Sequence, residues 1–414
     1  MERRVVITGM GAVTPVGLTA QETWESLVAG RPGIGLITRF DTADFKVKVA
    51  AEVKGFDGKD YEGIDVRHQD LSCQYALVAS DEAWKDSGLE DDAELDRDRV
   101  GVYVGTGIGG LGSYTVNVDT MRQRGPRRVS PFMIPMMIAN MPAGEISIRH
   151  HLTGPTLPVV TACATSAHAV GEAFRAIKHG YADVILAGGT EAAILPEAVA
   201  GFTNCKALTL NPDPATACRP FDANRDGFVM GEGACVLVLE EYEHAVARGA
   251  HIVCEVAGYG NTADAYHITS PDPDARGITR AIADAVSESG MKPEEGLYIN
   301  AHGTSTKLND STETAGFKLA LGEEAARSAH ISSTKSMTGH MLGATGAVEV
   351  MASALALEHG IVPPTIGYAE PDPACDLDYT PGEAIEAELA WALTTNLGFG
   401  GHNAALALKA YKGE

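Results

Sequence analysis

The sequence lacks any segment that is apolar over the length of a membrane span. No stretch of about 18 consecutive apolar residues occurs, so no transmembrane helix is expected. The first residues, Met1–Gly9, form a short strand-like run and lack the apolar core of a signal peptide. We therefore expect a soluble, cytoplasmic protein that has no membrane partner.

Basic residues are scarce. The chain has 32 Lys and Arg against 55 Asp and Glu, which gives a formal net charge of −23. A surface this negative repels phosphate backbones, so nucleic acid is not expected as a partner. An acidic protein partner would need a local basic patch.

The chain also lacks cysteine pairs. Its seven cysteines include no CxxC spacing, and no cluster of Cys and His has the spacing of a zinc site. This pattern indicates free thiols, most of them buried as small apolar groups. The remaining question is whether one of them is a nucleophile.

Short β-branched runs alternate with longer helical patterns, which predicts an α/β protein with buried, mainly parallel sheets. The length predicts two to three domains or one large duplicated unit. Similar Ala-rich helix patterns end at His179-Gly180 and at His359-Gly360. Duplication and chance similarity explain these similar helix patterns equally well. Of the two, we favour duplication, with two pseudo-equivalent halves that meet near residue 250. The predicted strands are Arg4–Gly9, Val100–Gly105, Pro158–Ala162, Val184–Ala187, Ala234–Glu240, Ile252–Ala257, Leu297–Asn300 and Ala392–Thr395.

Cys163 lies where a predicted strand ends and a predicted helix, Ala167–His179, is about to begin. The free N–H groups and the partial positive charge of a helix N-terminus stabilise a thiolate. Small neighbours on both sides leave room for a substrate carbonyl. A buried structural cysteine and a nucleophile remain about equally supported by this pattern alone.

Two histidines favour the nucleophile. His302 directly follows a predicted strand, and His340 directly precedes a helix of small residues, with Lys335 five positions upstream. Both histidines lie in polar, glycine-containing turns, where catalytic groups are common. A Cys with two His and a Lys suits thioester chemistry, in which an acyl group is captured covalently and imidazole donors stabilise an enolate.

One motif suggests a different activity. Gly105, Gly107 and Gly110 follow a strand with the GxGxxG spacing of a dinucleotide-binding turn. No second strand that ends in an acidic ribose ligand follows within the next twenty or so residues. An oxidoreductase is therefore disfavoured.

Several longer motifs resemble the β-ketoacyl-acyl carrier protein synthases, in particular the elongating type II enzymes of fatty acid synthesis. They are VTACATSAHAVGEA around Cys163, CRPFDANRDGFVMGEGA from Cys218, NAHGTST around His302 and STKSMTGHMLGATGAVE around Lys335 and His340. The resemblance extends from Val5 to Ala404. The Cys-His-His set is that of this branch, whereas initiating synthases use Cys-His-Asn and thiolases use a second cysteine.

The resemblance implies the thiolase fold, an α/β architecture in which two pseudo-symmetric halves form αβαβα layers, and a homodimer. Residues 1–250 would form the half that carries the nucleophile, and residues 251–414 the half that carries both histidines. It implies an acyltransferase that condenses an acyl-Cys163 thioester with malonyl-acyl carrier protein and lengthens the chain by two carbons. No organic cofactor is implied, because the substrates are carried on the phosphopantetheine of the carrier protein.

The resemblance also assigns roles to individual residues. Backbone N–H groups of Cys163 and Phe399 would form the oxyanion hole, and His302 and His340 would promote decarboxylation and hold the enolate. Lys335 would fix the histidines, with Glu349 in support. The other implied site residues are Thr304 and Thr306 (pantetheine), Phe399 between Gly398 and Gly400 (a movable gate), Ile108 and Phe132 (acyl pocket), and Arg67, Arg127, Arg128 and Lys206 (carrier-protein docking).

Some members of the family hold a structural monovalent cation, K⁺ or Na⁺, at positions that match Asn300, Glu349 and Asn396. The resemblance leaves open whether this chain does. Asp65 and Gln69 stand where the family often has Lys, which predicts weaker electrostatic steering of the carrier protein.

Related activities remain as alternatives. A type II polyketide or aryl-polyene ketosynthase would share the Cys-His-His set. A catalytically silent partner subunit that sets chain length is disfavoured, because such subunits usually replace the cysteine. A simple acyl hydrolase would not need two histidines for an enolate.

Overall fold

A computed structural model describes residues 3–413 of the chain. Nine of its strands form one large sheet, and the other four form two short ribbons. The strands are β1 (Val5–Val13), β2 (Gly35–Leu36), β3 (Val49–Ala50), β4 (Val100–Thr106), β5 (Val184–Glu191), β6 (Gly233–Glu241), β7 (Cys254–Ala263), β8 (Leu297–Asn300), β9 (His330–Ser332), β10 (Ile361–Val362), β11 (Ile385–Glu386), β12 (Trp391–Gly398) and β13 (His402–Ala410).

The helices range from one turn to four turns in length. They are α1 (Ala20–Val28), α2 (Leu71–Asp86), α3 (Leu111–Arg124), α4 (Met133–Met137), α5 (Met141–His150), α6 (Thr165–Lys178), α7 (Pro196–Asn204), α8 (Tyr242–Ala247), α9 (Arg276–Ser289), α10 (Lys307–Leu321), α11 (Glu323–Ser328), α12 (Lys335–Thr338) and α13 (Thr345–His359). Across residues 3–413, none of them is long and apolar enough to cross a membrane.

The large sheet contains the same four-strand pattern twice. Its order is β4-β5-β6-β1-β7-β13-β12-β8-β9. In the first half, β1 pairs antiparallel with β6, β6 antiparallel with β5, and β5 parallel with β4. In the second half, β7, β13, β12 and β8 repeat these three pairings in the same sequence of orientations. The two halves join where β1 and β7 pair.

The helices complete a layered α/β arrangement around this sheet. Helices α6 and α13 contact each other and strands of both halves, so they form the central layer. Helix α2 packs on β1 and β6, and α9 packs on β7 and β13, on the outer faces. The predicted αβαβα layering is therefore observed. Both central helices begin immediately after a short 3₁₀ turn, and these two turns contact each other.

Two sequence-based predictions about strands are wrong. The sheet is not mainly parallel, because five of its eight neighbouring strand pairs are antiparallel. The predicted strand Pro158–Ala162 is absent: only Thr156 bridges to Val102, and the chain then leaves the ladder. Pro158 has no N–H to donate and weakens pairing there. The sequence analysis also missed β9 and β13 of the large sheet and all four strands of the two short ribbons.

Candidate active site

A cavity of about 390 Å³ opens between the two halves. It contains Cys163, His302, His340 and Phe399, whereas Lys335, the fifth residue predicted to be catalytic, is not among the residues that line it. Its walls come from β12, from the loops after β7 and β8, from the segment that precedes β6, and from the turns around Cys163 and His340. The lining residues are Cys163, Cys205, Lys206, Ala207, Asp226, Gly227, Phe228, Asp264, Thr269, Ser270, Pro271, His302, Thr304, Thr306, Lys307, Leu308, Asn309, His340, Leu397, Gly398, Phe399 and Gly401.

Cys163 lies in the 3₁₀ turn Ala162–Ala164, immediately before α6. The turn is tight, because Ala162 has a φ of 53° in the left-handed region. A Cβ on Gly398 would lie 2.6 Å from the Thr161 carbonyl oxygen, so only glycine lets β12 approach this closely. The sequence-based expectation of a cysteine at the start of a helix is met.

The thiol of Cys163 is nonetheless not a resting thiolate. Burial raises its pKa to about 11, although the N–H groups of Phe399 and of Cys163 itself, together with the positive charge of Lys335, act in the opposite direction. The sequence analysis expected the helix N-terminus to stabilise the charged form. Loss of hydration outweighs that effect, so the thiol must lose its proton during the reaction.

His302 is held by a buried carboxylate. The N–H groups of His302 and Gly303 donate to Glu313 over 2.6 and 2.8 Å, and the Thr395 hydroxyl donates to the same carboxylate. Burial, and then the nearby charge of Lys335, lower the pKa of the His302 imidazole well below its usual value. His302 is therefore neutral near pH 7.

His340 is fixed by contacts to both its backbone and its ring. Its N–H donates to the Val229 carbonyl over 2.7 Å, and its Nδ1 lies 3.1 Å from the Thr345 hydroxyl at the start of α13. Burial and the charge of Lys335 lower its pKa well below the usual value. When the Thr345 hydroxyl donates to Nδ1, the neutral ring carries its hydrogen on Nε2.

Lys335 and Glu349 form a fully buried ion pair behind the histidines. The other carboxylate oxygen of Glu349 accepts a hydrogen bond from the Asn396 amide over 2.8 Å, and that amide nitrogen lies 3.4 Å from His302 Nδ1. Burial raises the pKa of Glu349 to about 7, against the effect of Lys335. The predicted supporting residues thus form one connected network with His302.

The remaining predicted residues are only partly brought together. The hydroxyls of Thr304 and Thr306 lie 3.0 Å apart on the cavity wall. Gly398 and Phe399 also line the cavity, whereas Gly400, with a φ of 90°, lies just outside it. Other predicted residues are placed elsewhere.

Ile108 and Phe132 are not among the residues that line this cavity, and they are 38% and 39% exposed. The Phe132 ring lies 3.9 Å from the His68 ring, measured between centroids. Their predicted place in the acyl pocket stays a prediction.

The four predicted docking residues are exposed. Lys206 lines the mouth of the cavity. Within residues 3–413, no ion pair involves Arg67, Arg127, Arg128 or Lys206. Their charge is therefore free for an acidic partner.

The sequence analysis missed two buried carboxylates, Glu191 and Glu313, and the Thr345 hydroxyl. The two glutamates accept hydrogen bonds from backbone N–H groups of the catalytic loops, and the Thr345 hydroxyl lies against the His340 ring. An acidic residue that ends an apolar strand, as Glu191 does in β5, is the only local signal that could have found one of them.

Comparison with known proteins agrees with this geometry. Residues 2–245 match the family model of the β-ketoacyl synthase N-terminal domain, and residues 253–369 match the C-terminal domain of the same family. The chain belongs to the β-ketoacyl synthase family. The sequence-based prediction of a condensing acyltransferase with the thiolase fold is confirmed.

Individual ketoacyl synthases are similar over the whole chain. The 3-oxoacyl-[acyl-carrier-protein] synthase 2 of Synechocystis sp. is 51% identical over 413 residues, and its namesake in Staphylococcus aureus is 48% identical over 411, with 99% of each chain covered in both cases. Among solved structures, the ishigamide ketosynthase/chain length factor is 37% identical with a TM-score of 0.92, and covers 99% of this chain and 100% of its own. A type II polyketide ketosynthase bound to its acyl-carrier protein is 32% identical, also with a TM-score of 0.92, and both chains are fully covered.

Proposed function

We propose that this ketoacyl synthase lengthens fatty acyl chains by two carbons, using an acyl thioester and malonyl thioester on acyl-carrier protein. The observation that carries this proposal is the convergence of Cys163, His302 and His340 in one cavity. The near-full-length relatives with about half of their residues identical are both 3-oxoacyl-[acyl-carrier-protein] synthases. The following steps assign a role to each group.

In the first step, Cys163 takes the acyl group. Its sulfur attacks the thioester carbonyl, the new S–C bond forms, and the bond to the pantetheine sulfur breaks. The thiol gives up its proton and the departing pantetheine thiolate takes one up, so the arm leaves as a free thiol. The N–H groups of Phe399 and Cys163, both directed at the Cys163 sulfur, would stabilise the oxyanion that develops beside it.

In the second step, malonyl thioester loses CO₂ and becomes an enolate. Because decarboxylation itself supplies the electron pair, no strong base is needed. Neutral His302 and His340 donate N–H groups to the enolate oxygen. The enolate carbon then attacks the acyl carbonyl, a C–C bond forms and the S–C bond to Cys163 breaks. Cys163 leaves as a thiolate and takes a proton from solvent to return to the free thiol.

Residues at the cavity entrance suit the pantetheine arm and the carrier protein that this chemistry requires. Thr304 and Thr306 present hydroxyls along the wall, where the amides of a pantetheine arm would pass. Lys206 at the mouth and the exposed Arg67, Arg127 and Arg128, which form no ion pair within residues 3–413, would offer positive charge to an acidic carrier protein on an otherwise acidic chain.

We also propose a homodimer. Strand β4 lies at the edge of the large sheet, and the segment that continues past the Thr156 bridge exposes Leu157 and Val160 beside it. An apolar sheet edge is a surface that a second copy can cover. Light scattering should report a dimer that Val160→Glu converts to a monomer, while Val246→Glu, at a similarly exposed valine on α8, should leave it intact.

The boundary between the halves stays a proposal near residue 250, just before β7. The four-strand repeat and the gap between the two matching family models, residues 246–252, are consistent with it.

The residues predicted to hold a monovalent cation fit such an ion. The side-chain oxygens of Asn300 and Asn396 are buried and, within residues 3–413, have no hydrogen-bond partner. Glu349, which accepts a hydrogen bond from the Asn396 amide, would add a carboxylate. Oxygen donors of this kind suit K⁺ or Na⁺. The ion would supply only structural charge balance, and no step of the reaction passes through it.

A type II polyketide ketosynthase is the second candidate, because solved structures of that class share the fold. Mass spectrometry of the carrier-bound products separates the two. A 3-keto product two carbons longer, formed once per acyl thioester, supports fatty acid elongation. Repeated extension without reduction would support the polyketide activity instead, and no extension would contradict both.

A further inference from the structure

Glu191 ends β5 and is completely buried in the centre of the molecule. Its carboxylate accepts four hydrogen bonds: from the Thr106 hydroxyl (2.8 Å), and from the N–H groups of Gly107 (2.9 Å), Ile108 (3.2 Å) and Gly343 (3.0 Å). No cation pairs with it among residues 3–413. Burial raises the pKa of Glu191 to about 7, although the four donors act in the opposite direction and favour the ionised carboxylate.

These donors belong to different halves of the chain. Gly107 and Ile108 follow β4 on the side of the nucleophile, whereas Gly343 lies in the turn that joins His340 to Thr345. Thr345 in turn contacts the His340 ring. Glu191 is thus a direct link between the turn that carries His340 and the half that carries Cys163.

At the centre of this junction the backbone segments lie so close together that only glycine fits at positions 107 and 343. A Cβ on Gly343 would lie 2.4 Å from the Gly107 nitrogen and 2.9 Å from Glu191 Oε2. A Cβ on Gly107 would lie 2.8 Å from Glu191 Oε2 and 3.5 Å from the Ala162 carbonyl, next to Cys163. This junction therefore explains Gly107 of the GTGIGG motif, whereas a Cβ on Gly105 or Gly110 would lie 1.9 Å from the carbonyl oxygen of Val159 or Met136, respectively.

Glu191 also acts on the nucleophile through its charge. Its negative charge is one of the influences that raise the pKa of the Cys163 thiol, after burial. A carboxylate at this position therefore disfavours the resting thiolate while it holds the turn of His340.

We propose that Glu191 is a positioning residue for the condensation step, which holds the His340 turn against the half that carries Cys163. This inference rests on the proposed function, because it assigns His340 to the enolate. Glu191 touches neither substrate nor reacting atoms, so it acts through the position of His340. Acylation, which needs Cys163 and the oxyanion hole, depends on it much less.

The test variant is Glu191→Gln, which keeps the size of the side chain. Its amide group turns one acceptor into a donor. That donor must face either the N–H groups of Gly107 and Gly343 or the N–H group of Ile108, so at least one hydrogen bond is lost and the junction shifts. Glu82→Gln is a matched control: Glu82 is a largely buried glutamate that accepts N–H groups of Ala12 and Ala20, each over 2.9 Å, on the outer helix α2. Thr106→Val, which removes one donor to Glu191, is a milder second variant.

Three readouts are compared in each full-length variant: formation of the acyl-enzyme, formation of the 3-keto product, and the rate at which iodoacetamide alkylates Cys163. In Glu191→Gln we expect acylation within about threefold of wild type and condensation about ten- to a hundredfold slower, as for a misplaced catalytic group. Alkylation should become faster, because a negative charge near the thiol is removed. Thr106→Val should slow condensation less, and Glu82→Gln should leave the ratio of condensation to acylation unchanged.

Parallel losses of acylation and condensation in Glu191→Gln, with alkylation no faster than in wild type, would overturn the proposal. If Glu191→Gln does not fold, the ratio in Thr106→Val decides, and a wild-type ratio there would also overturn it. Failure of the proposed function itself is distinct, because wild type would then form no 3-keto product.

Discussion

The rings of His302 and His340 lie 5.3 Å apart, measured between centroids, and are nearly perpendicular, at 88°. His302 follows β8 and His340 precedes α13, so the two rings reach the cavity from different elements of the second half. Both are buried and neutral, with Lys335 disfavouring the charged form of each. At this separation both neutral imidazoles can donate an N–H group to the same enolate oxygen. This role suits the pair better than one in which one ring acts as a base and the other accepts its proton.

Replacement of either histidine should separate the two half-reactions. We expect His302→Ala and His340→Ala to form the acyl-enzyme but to lose condensation by about a hundredfold or more, the usual effect of removing one oxyanion donor. Intact mass spectrometry measures the acyl-enzyme, and product analysis measures condensation. A variant that fails to acylate would show that its histidine acts on Cys163 rather than on the enolate.

The rate at which iodoacetamide alkylates Cys163 should increase steadily with pH. Because burial raises the pKa of the thiol to about 11, the thiolate fraction grows about tenfold per pH unit throughout the range from 6 to 9. The rate of reaction with iodoacetamide, followed on the peptide that contains Cys163, measures this directly. The exposed Cys205 in the same chain serves as an internal reference. A plateau of the Cys163 rate below about pH 8 would indicate a stabilised thiolate and contradict the expectation.

Removal of Lys335 should destabilise the fold as well as the site. Lys335→Ala leaves Glu349 buried without its partner, and the loss of one member of a buried pair typically costs about 3–5 kcal/mol of unfolding free energy. Chemical denaturation measures this loss. Lys292→Ala, which removes an exposed pair with Glu295, is the matched control and should leave stability unchanged. Equal effects of the two variants would contradict a buried, structurally coupled pair.

Charge reversal at the docking surface should weaken the use of carrier-bound substrates. We expect Arg127→Glu with Arg128→Glu to raise KM for acyl-carrier protein about tenfold at low salt and to reduce the salt dependence, with kcat little changed. Arg280→Glu on α9, an exposed arginine of the outer layer, should have no such effect. Small acyl thioesters without a carrier protein should react equally well with all of these variants. An unchanged KM in the double variant would exclude these arginines from docking.

The sequence predicted the site better than it predicted the sheet. Cys163, His302 and His340 each adjoin a local transition between a strand or turn and a helix, and the sequence pattern carries that information. Strand orientation and the absence of a strand at Pro158–Ala162 depend on which segments become neighbours, which periodicity does not specify. Strand β13 was missed because its Ala-rich sequence, HNAALALKA, lacks the β-branched residues typical of strands.

The contacts of Glu191 and Glu313 were missed for a related reason. Glu191 is 152 residues from Gly343, and Glu313 is 82 residues from Thr395, so no local spacing signals either contact. The raised pKa of Cys163 depends likewise on burial, which only the packed structure specifies.

The most direct test of the proposed function follows the acyl group on and off Cys163 by intact mass. Wild-type enzyme is incubated first with carrier protein that bears an acyl group and then with carrier protein that bears a malonyl group. Cys163→Ala is treated in the same way. We expect wild type to gain the mass of one acyl group on Cys163 and then to lose it as a carrier-bound 3-keto product two carbons longer appears. Cys163→Ala should do neither, and product formation by this variant at the wild-type rate would contradict the assignment of Cys163 as the nucleophile.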